Sequence, residues 1–417
     1  MGDEWREVAL SELYEYRSGL SKPRSEFGSG FPFLTFREVF NNTFVPESLS
    51  ELVQSTKRER ESCSVRRGDV FLTRTSETMD ELGMSCVALK DYDSATFNGF
   101  CKRLRPRPNV DIVPEYAAYY FRSPRFRRAV TAMASLSTRA SLNNDMLDSL
   151  TMLLPPHAEQ KAIAATLKPL DDKIELNRKM NQTLEEMARA IFKSWFVDFD
   201  PVRAKAEGRQ PIGMDADTAA LFPNGFEESE LGKIPKGWKL EPCGQHIELA
   251  YGKSLPKKER RAGPYPVIGS GGKDGTHDIA LVSGPGVVVG RKGTVGTIHW
   301  VDEDFYPIDT TFFVRPKGAL PILWVFEMLR QMDIAHLGAD SAVPGVNRHA
   351  VYAEPWVVPP LGLAQIFRDL STCLFNRRKA AKAEAEILAR LRDLLLPKLL
   401  SGEIRVGEAE KLVEAAS

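Results

Sequence analysis

The sequence has no excess of charge of either sign. Its 417 residues include 56 lysines and arginines and 56 aspartates and glutamates, so the formal net charge at pH 7 is zero. A protein that holds nucleic acid by net charge alone is expected to be basic. The balance therefore argues against a simple electrostatic DNA binder, and any nucleic-acid site must depend on where the basic residues are placed.

Cysteine is scarce, and long apolar runs are absent. The five cysteines are widely spaced, no C-x-x-C pair occurs, and no cysteine–histidine spacing is typical of a zinc finger. We expect buried thiols in a reducing compartment and no structural metal. No apolar run approaches the roughly 18 to 20 residues of a membrane span, and the first residues lack the basic and apolar regions of a secretory signal. The sequence therefore predicts a cytoplasmic protein.

Motifs that carry catalysis are missing too. The glycine-rich stretch 284–294 does not have the order of a phosphate-binding loop, because Arg291-Lys292-Gly293 interrupts it, and we interpret it as a turn beside a strand. The six histidines form no spaced pair, and no Asn-Pro-Pro-aromatic motif of an amino-methyltransferase occurs. Asp171 and Asp172 could belong to a nuclease site, but they fall within a predicted helix. By itself the chain is predicted not to be an enzyme.

What the sequence does contain is one long stretch that occurs twice. The first copy begins at 153–156 (Leu-Leu-Pro-Pro) and runs to Phe196, and the second begins at 357–360 (Val-Val-Pro-Pro) and runs to Leu400. A shift of 204 positions without a gap places the first copy on the second. Prolines cannot donate to a sheet and favour an extended residue before them, so each copy is predicted to be a strand end followed by a long helix.

Apolar residues in both predicted helices recur at the alternating three- and four-residue steps of a coiled coil. The first stripe is interrupted by Asn177 and Asn181, and the two stripes are predicted to pack on each other. Pro169 should kink or break the first helix, leaving an uninterrupted part of roughly 40 Å that ends at Phe196. The stripes are Ile163, Leu167, Leu170, Ile174, Leu184, Ala188, Ile191 and Trp195 in the first copy, and Phe367, Leu374, Ala381, Ala385, Leu388, Leu391 and Leu395 in the second.

The segment before each long helix is repeated in outline. Trp5 and Trp238 each precede a short extended run. Further along, each module has a predicted strand (69–74 and 286–291), a short helix (114–122 and 321–331) and a polar loop. Each module is therefore expected to be α+β and largely antiparallel. The intervening stretch 197–235, rich in Asp, Gly, Pro and Ala, is predicted to be a linker with little core of its own.

Basic residues are concentrated once in each module. Between positions 95 and 140 the only acidic residues are Asp111 and Glu115. A solvated surface is the usual reason for such a cluster, but one cluster in each of two modules is also typical of paired binding sites. The first cluster consists of Lys102, Arg103, Arg105, Arg107, Arg122, Arg125, Arg127, Arg128 and Arg139, and the second of Lys257, Lys258, Arg260 and Arg261.

Several motifs point to a known family. They are 153–160 (Leu-Leu-Pro-Pro-His-Ala-Glu-Gln), 172–179 (Asp-Lys-Ile-Glu-Leu-Asn-Arg-Lys), 191–199 (Ile-Phe-Lys-Ser-Trp-Phe-Val-Asp-Phe), 232–238 (Gly-Lys-Ile-Pro-Lys-Gly-Trp) and 395–403 (Leu-Leu-Pro-Lys-Leu-Leu-Ser-Gly-Glu). With them the chain resembles, over essentially its whole length, the specificity (S) subunit of type I restriction-modification systems, the HsdS family. The second Pro-Pro departs from the pattern, since 361–364 (Leu-Gly-Leu-Ala) stands where the family has Glu-Gln.

The resemblance implies an α+β fold class. Two α/β target-recognition domains would be separated by an antiparallel, coiled-coil-like pair of long helices, with a pseudo-twofold internal repeat. The expected divisions are domain 1 at 1–154, the first spacer helix at 155–197, a linker at 198–236, domain 2 at 237–358, the second spacer helix at 359–402 and a C-terminal tail at 403–417.

The resemblance also implies a function in a complex. Each domain would read one half of a split, asymmetric target in double-stranded DNA, and the helices would hold the halves at a set spacing. They would also dock two methyltransferase (M) subunits, which carry S-adenosylmethionine, and two motor-nuclease (R) subunits that use ATP and Mg²⁺ would join for restriction. No cofactor is expected in this chain.

Side chains that commonly read base edges or hold phosphates supply candidate DNA contacts. Asn143 and Asn144 could instead cap a helix. The candidates are Lys22, Arg24, Arg74, Ser76, Thr138, Arg139, Asn143 and Asn144 in domain 1, and Lys253, Lys257, Lys258, Arg291, Lys292, Thr294, Asn347 and Arg348 in domain 2. For the helices that dock other subunits the candidates are Ile174, Leu184, Ile191, Trp195, Leu374, Leu388 and Leu395.

Two other functions remain open at this point. The zero net charge also fits an interaction protein whose two modules bind proteins rather than DNA. A nuclease with an unrecognised site is the third possibility. Binding to a duplex that weakens with salt would favour the first function, and metal-dependent cleavage by the chain alone would favour the third.

Overall fold

The computed structural model describes residues 5–75, 81–134, 141–337 and 345–414. By its internal contacts the chain divides into two units. Unit 1 contains Met1–Leu176 and Glu384–Ser417, and unit 2 contains Asn177–Ala383. Unit 1 is therefore built from both ends of the chain, and each long helix belongs partly to one unit and partly to the other.

Most strands of the described chain are only two to six residues long. They are β1 (Arg6–Ala9), β2 (Tyr14–Ser18), β3 (Phe27–Leu34), β4 (Leu52–Val53), β5 (Val70–Thr73), β6 (Ser85–Val87), β7 (Thr96–Phe97), β8 (Cys101–Pro106), β9 (Thr151–Leu154), β10 (Phe226–Ser229), β11 (Gly232–Pro235), β12 (Lys239–Pro242), β13 (Ile247–Tyr251), β14 (Tyr265–Gly269), β15 (Gly272–His277), β16 (Gly286–Gly290), β17 (Ile298–Val301), β18 (Tyr306–Pro307), β19 (Thr311–Pro316) and β20 (Pro355–Val358).

The helices are short apart from the two predicted long ones. They are α1 (Leu10–Leu13), α2 (Phe36–Asn41), α3 (Lys57–Ser62), α4 (Pro114–Arg122), α5 (Pro124–Ala134), α6 (Asn144–Asp148), α7 (His157–Phe196), α8 (Asp200–Ala206), α9 (Ala216–Ala220), α10 (Cys243–His246), α11 (Ile322–Gln331), α12 (Arg348–Ala353), α13 (Leu361–Ser401) and α14 (Val406–Glu414). The long helices are α7 and α13.

Unit 1 contains three small sheets. The largest has the strand order β2-β8-β5-β6, and a second has the order β4-β3-β7. All pairs in these sheets are antiparallel except β3 with β7. The strand that follows Trp5, β1, pairs antiparallel with β9, which leads directly into Pro155 and Pro156. The start of the chain is thereby anchored to the start of the first long helix.

Unit 2 repeats this arrangement strand for strand. Its sheets have the orders β13-β19-β16-β17 and β15-β14-β18, and β14 with β18 is again the parallel pair. The strand that follows Trp238, β12, pairs with β20 before the second Pro-Pro. The predicted α+β fold class and internal repeat are therefore confirmed, as are the short helices α4 and α11 and the strands β5 and β16.

The core of unit 1 joins its main sheet to parts of both long helices. Leu167 and Leu170 of α7 are buried in one cluster with Leu395 and Leu399 of α13. Asp171 of α7 is fixed there by two partners: it pairs with Arg392 of α13 at 2.6 Å and accepts a hydrogen bond from the Tyr119 hydroxyl at 2.8 Å. The beginning of α7 therefore packs on the end of α13.

The core of unit 2 uses the opposite halves of the same helices. The ring of Phe192 on α7 lies 5.3 Å from Phe367 on α13 and 5.7 Å from Trp324 on α11. Glu185 of α7 pairs with Arg378 of α13 at 3.2 Å. The end of α7 packs on the beginning of α13, so the helix pair is antiparallel, as predicted.

Two details of the helices differ from prediction. The first helix is not broken at Pro169, because α7 is continuous from His157 to Phe196. Leu167 and Leu170, on either side of the proline, are buried in the core, and this packing holds the helix through the missing hydrogen bond. In the second helix the departure from Glu-Gln does not delay the start, because Leu363 and Ala364 bury apolar surface in the first turn of α13.

The stretch between the modules is not the coreless linker expected from its composition. It contains α8, α9 and the antiparallel hairpin β10–β11. Phe199, Val202, Phe222 and Ile234 are buried in the core of unit 2. Its few large apolar residues are far apart in sequence, so their convergence depends on tertiary packing and leaves no local periodic pattern.

Candidate nucleic-acid interface

The predicted site residues meet at the same place in both units. Arg74 follows β5, and Arg291 follows β16. In each unit the end of the polar loop returns to this arginine: the Leu142 N–H donates to the Arg74 carbonyl at 2.8 Å, and the Val346 N–H donates to the Arg291 carbonyl at 3.2 Å. The fold thus brings a strand-end arginine beside the residues that begin a short helix.

That short helix is capped by asparagine in both units. The Asn143 side chain accepts a hydrogen bond from the Met146 N–H at 2.8 Å. The Asn347 side chain accepts from the N–H groups of His349 and Ala350. Both asparagines therefore have a capping function, and Asn144 and Arg348 adjoin them at equivalent positions of the two units.

In unit 2 these arginines surround an exposed tyrosine. The guanidinium groups of Arg291 and Arg348 lie 4.9 and 4.5 Å from the centre of the Tyr251 ring, which is 50% exposed. Arg291 donates to the Asp309 carbonyl and Arg348 to the Leu249 carbonyl, so both groups are held in place. A fixed pair of guanidinium groups on an exposed ring can bind phosphate, stack on a base or contact a base edge.

In unit 1 the equivalent positions carry different residues. The strand register places Lys102 opposite Leu72 and Ser18, as Phe312 lies opposite Val289 and Tyr251 in unit 2. Lys102 is only 8% exposed, and burial, with a smaller effect from the positive charge of Arg74, lowers the pKa of its ammonium group. The two units therefore present unlike chemistry on one frame.

Comparison with known proteins shows which proteins the chain is similar to. The family model of the type I restriction modification DNA specificity domain matches residues 2–186. The specificity subunit of type I restriction enzyme HindI from Haemophilus influenzae is 24% identical, covering 96% of this chain and 100% of its own length. The specificity subunit of type I restriction enzyme MjaIX from Methanocaldococcus jannaschii is 23% identical, covering 97% and 94%. Over nearly its whole length the chain is similar to specificity subunits of type I restriction enzymes.

A solved structure has a similar fold. The crystal structure of the type I restriction-modification S subunit from M. genitalium is 13% identical, with a TM-score of 0.53, covering 95% of this chain and 96% of that one. The predicted resemblance is confirmed.

The other candidate DNA contacts are spread more widely. Lys22 is half-buried between Glu26 and Glu59, at 3.0 Å from each, so its charge is already neutralised. Lys257 pairs with Asp274 at 3.6 Å. Exposed side chains are those of Arg24, Lys253, Lys258, Lys292 and Thr294. Three candidates lie outside the described residues: Ser76, Thr138 and Arg139.

The basic clusters are only partly on the surface, because several of their cations have partners within the fold. Arg105 pairs with the buried Asp69 at 2.6 Å, and Arg122 donates to the carbonyl oxygens of Ser85 and Asn42. In the second cluster Arg260 and Arg261 pair with Asp274 and Asp278. These cations stabilise the fold, which the local sequence could not reveal because their partners lie elsewhere in the chain.

The candidate docking residues lie mostly inside the units. Leu388 and Leu395 are buried in unit 1, and Trp195 is buried in unit 2. Ile174, Leu184, Ile191 and Leu374 are half-buried. Fully buried side chains join the helices to their own unit and have no surface left for another subunit. Exposed apolar residues that the sequence reasoning did not select are Leu176, Ile387 and Leu394 on the unit 1 parts of the helices, and Met187 and Leu370 on the unit 2 parts.

Two residues of the sites were missed as candidates, Tyr251 and Lys102. Each lies on a strand face that also carries buried apolar residues, at every second position, and each is the polar residue of that face. In β13, Ile247 and Leu249 are buried and Tyr251 is exposed; in β8, Lys102 follows the alternation set by Leu104. That signal was present in the sequence, but only the register shows that each residue lies beside an arginine.

No group of histidine, cysteine, aspartate or glutamate side chains among the described residues could hold a metal ion. Of the cysteines, Cys63, Cys86, Cys101 and Cys243 are buried and Cys373 is exposed. None of the described helices has the length and apolar character to cross a membrane.

Proposed function

We propose that this chain is the DNA-reading component of a type I restriction-modification complex, with one half of a split, asymmetric target bound by each unit. The observation that carries the proposal is the repeated site: the same strand-end arginine and asparagine-capped helix occur in both units, beside unlike neighbours. A common frame with different side chains is what two unlike half-sequences require, since base edges are distinguished by the pattern of donors and acceptors presented to them.

The side chains of the unit 2 site are better suited to base recognition than those of the unit 1 site. Arg291 and Arg348 are held by the carbonyls of Asp309 and Leu249, so less conformational freedom is lost on binding. An arginine held in this way can donate two parallel hydrogen bonds to guanine, and Tyr251 offers an apolar ring for a sugar or a thymine methyl group. We assign reading of one half of the target to this cluster.

The remaining functions of the complex are assigned to other chains. We propose that the long helices set the spacing of the half-sites and dock two methyltransferase subunits, with exposed apolar residues such as Leu394 and Ile387 as the contact surface. Those subunits would bring S-adenosylmethionine, and two motor-nuclease subunits would bring ATP and Mg²⁺. The chain itself would then be non-catalytic, and it would bind DNA in the cytoplasm.

DNA reading is tested by mapping methylated adenines in the host genome with and without the gene. We expect a two-part motif whose methylation disappears with the gene. Binding of the purified complex to a duplex carrying that motif should weaken steeply with salt. If deletion of the gene removes no methylated motif and duplex binding does not depend on salt, the results would instead favour a protein that bridges other proteins. Metal-dependent cleavage of a duplex by the chain alone would favour a nuclease.

Docking is tested separately with a charged residue on the exposed helix surface. Leu394 is 55% exposed, so Leu394→Glu should leave the unit 1 core intact and reduce co-purification with the methyltransferase subunit. Ile212→Glu is the matched control, because Ile212 is 91% exposed and lies outside the long helices. Equal recovery of the complex with both variants would remove Leu394 from the docking surface.

A further inference from the structure

Lys102 occupies an unusual position on the apolar face of a sheet. It stands opposite Leu72 of β5 and two residues from Leu104 on β8. Leu72 and Leu104 are completely buried in the core of unit 1, and Lys102 itself is 8% exposed. A lysine therefore lies beside two buried leucines on this face of the sheet.

The charge of Lys102 is not matched by any partner in the described parts of the chain. The other cations on the same strand have partners: Arg103, which is buried, donates to the Ser64 carbonyl at 2.8 Å, and Arg105, which is half-buried, pairs with Asp69. Burial disfavours the charged form of an ammonium group, and it lowers the pKa of Lys102. The absence of a matching group at Lys102 is thus an exception within its own strand.

A second cation lies beside it. Arg74 continues β5 two residues beyond Leu72, which puts its side chain on the face that carries Lys102. The Nε atom of Arg74 is buried and has no hydrogen-bond partner among the described residues. Two adjacent cations, each short of a partner, form a preorganised site for an anion.

The internal repeat shows that the fold itself does not need this lysine. The equivalent position in unit 2 is Phe312, which is 1% exposed and packs in the core. In unit 2 an apolar side chain therefore occupies the equivalent position of the sheet. Lys102 retains a buried charge where a phenylalanine suffices for folding, and such an unfavourable feature is typical of a functional group.

We propose that Lys102 and Arg74 together hold one phosphate of the DNA backbone against unit 1. This rests on the proposed function, that unit 1 binds DNA. A phosphate is favoured over a base edge because base edges lie inside the grooves and are reached by projecting side chains. Lys102 is mostly buried within the sheet and does not project from it, so an anion has to approach the sheet to reach it. The contact would position the duplex without reading its sequence.

The test compares Lys102→Met with Lys90→Met in the full chain, purified with whatever subunits accompany it. Lys90 is also in unit 1, but it is exposed and pairs with Glu47 at 3.0 Å. Affinity is measured over a salt series for a duplex with the target motif and for a scrambled duplex. One phosphate contact contributes about −0.9 to the slope of log K against log salt concentration. The association constant K therefore falls roughly eightfold for that contact between about 0.1 M and 1 M salt.

We expect Lys102→Met to make the salt slope of the protein shallower by about 1 and to reduce the affinity for both duplexes equally. Lys90→Met should match the wild type. Because methionine removes a buried unpaired charge, the melting temperature of Lys102→Met in phosphate-free buffer should equal or exceed that of the wild type, which separates lost binding from lost folding. Added inorganic phosphate, at constant ionic strength, should raise the melting temperature of the wild type more than that of the variant.

The outcomes separate the two proposals. If the wild type binds duplex and Lys102→Met has the same slope and affinity, the phosphate contact is wrong while DNA reading stands. A selective phosphate effect on melting with unchanged duplex binding would identify a site for free phosphate and would also overturn the contact. If the wild type does not bind duplex at all, the proposed function fails, and this contact fails with it. Weakening of the target duplex alone would make Lys102 a sequence reader.

Discussion

At the scale of single residues, the chain carries a second buried ionisable group of interest in addition to Lys102. Glu327 on α11 is 1% exposed, and one of its carboxylate oxygens is without a hydrogen-bond partner in the described chain. Burial raises the pKa of this carboxyl from 4.5 to about 7, and Arg330, at 3.4 Å, offsets only part of the effect. The residue is therefore protonated in the folded protein over a pH range in which it ionises in the unfolded chain.

That difference makes the stability of unit 2 depend on pH. Between about pH 4.5 and 7 the folded state holds the proton more tightly, so the free energy of unfolding falls as the pH rises through this window. Glu327→Gln cannot ionise. We expect it to match the wild type near pH 4.5 and to be more stable at pH 8 by about 2 to 3 kcal/mol.

The measurement is urea unfolding at pH 4.5, 6 and 8. The exposed Glu228 supplies the matched control, and Glu228→Gln should follow the wild type at each pH. Parallel pH curves for Glu327→Gln and the wild type would show that Glu327 ionises in the folded protein at its ordinary pKa.

At the scale of elements, the long helices are stabilised mainly by packing. α7 runs through Pro169, although a proline within a helix removes a hydrogen bond and crowds the preceding turn. α13 likewise contains Pro397. Both prolines are exposed, whereas their neighbours Leu170 and Leu396 are buried. The helices persist because their apolar faces are buried in the units.

Replacing the proline should therefore stabilise unit 1. Pro169→Ala restores the N–H donor and loses no buried contact, because the proline is exposed. We expect the free energy of unfolding to rise by about 1 to 3 kcal/mol, the range set by the penalty for proline inside a helix. Circular dichroism during urea unfolding measures it. Gln182→Ala, at an exposed site in the same helix, should change stability by only a few tenths of a kcal/mol, and equal changes for the two variants would contradict the prediction.

At the scale of the whole molecule, two units with unlike sites predict that each unit contributes independently to recognition. Contributions from distant, independent sites add, whereas changes within one site do not. This distinction gives a way to assign a half-site to a unit once the methylated motif is known.

The decisive variant is Arg291→Ala in unit 2. We expect it to weaken binding of the target duplex by about 1 to 3 kcal/mol. Scrambling the half-site read by unit 2 should then add little further loss, while scrambling the other half should add its full effect. Arg315→Ala is the control, because Arg315 also lies over a ring, Phe313 at 5.0 Å, but outside the cluster around Tyr251. Full additivity with both scrambled halves would mean that Arg291 reads neither.

Local patterns were sufficient to predict much of this architecture. The duplicated Pro-Pro and the three- and four-residue spacing predicted two antiparallel long helices, and strand propensity located β5 and β16. The sequence also makes Arg74, Asn143, Arg291, Asn347 and Arg348 candidates, because arginine and asparagine commonly read base edges. These predictions needed only residues close together in sequence.

The pairing of charges was decided by the tertiary structure. Arg105 and Asp69, or Arg122 and Asn42, are far apart in the chain, so composition could not show that these cations of the first basic cluster have partners within the fold. The same holds for Lys102 and Tyr251, whose strands come to lie beside Arg74 and Arg291 only through sheet register. The sequence by itself determined the repeat and the helices, because periodicity is local; the tertiary structure decided which cations remain free for a ligand, because burial and charge pairing depend on residues that meet only in the folded chain.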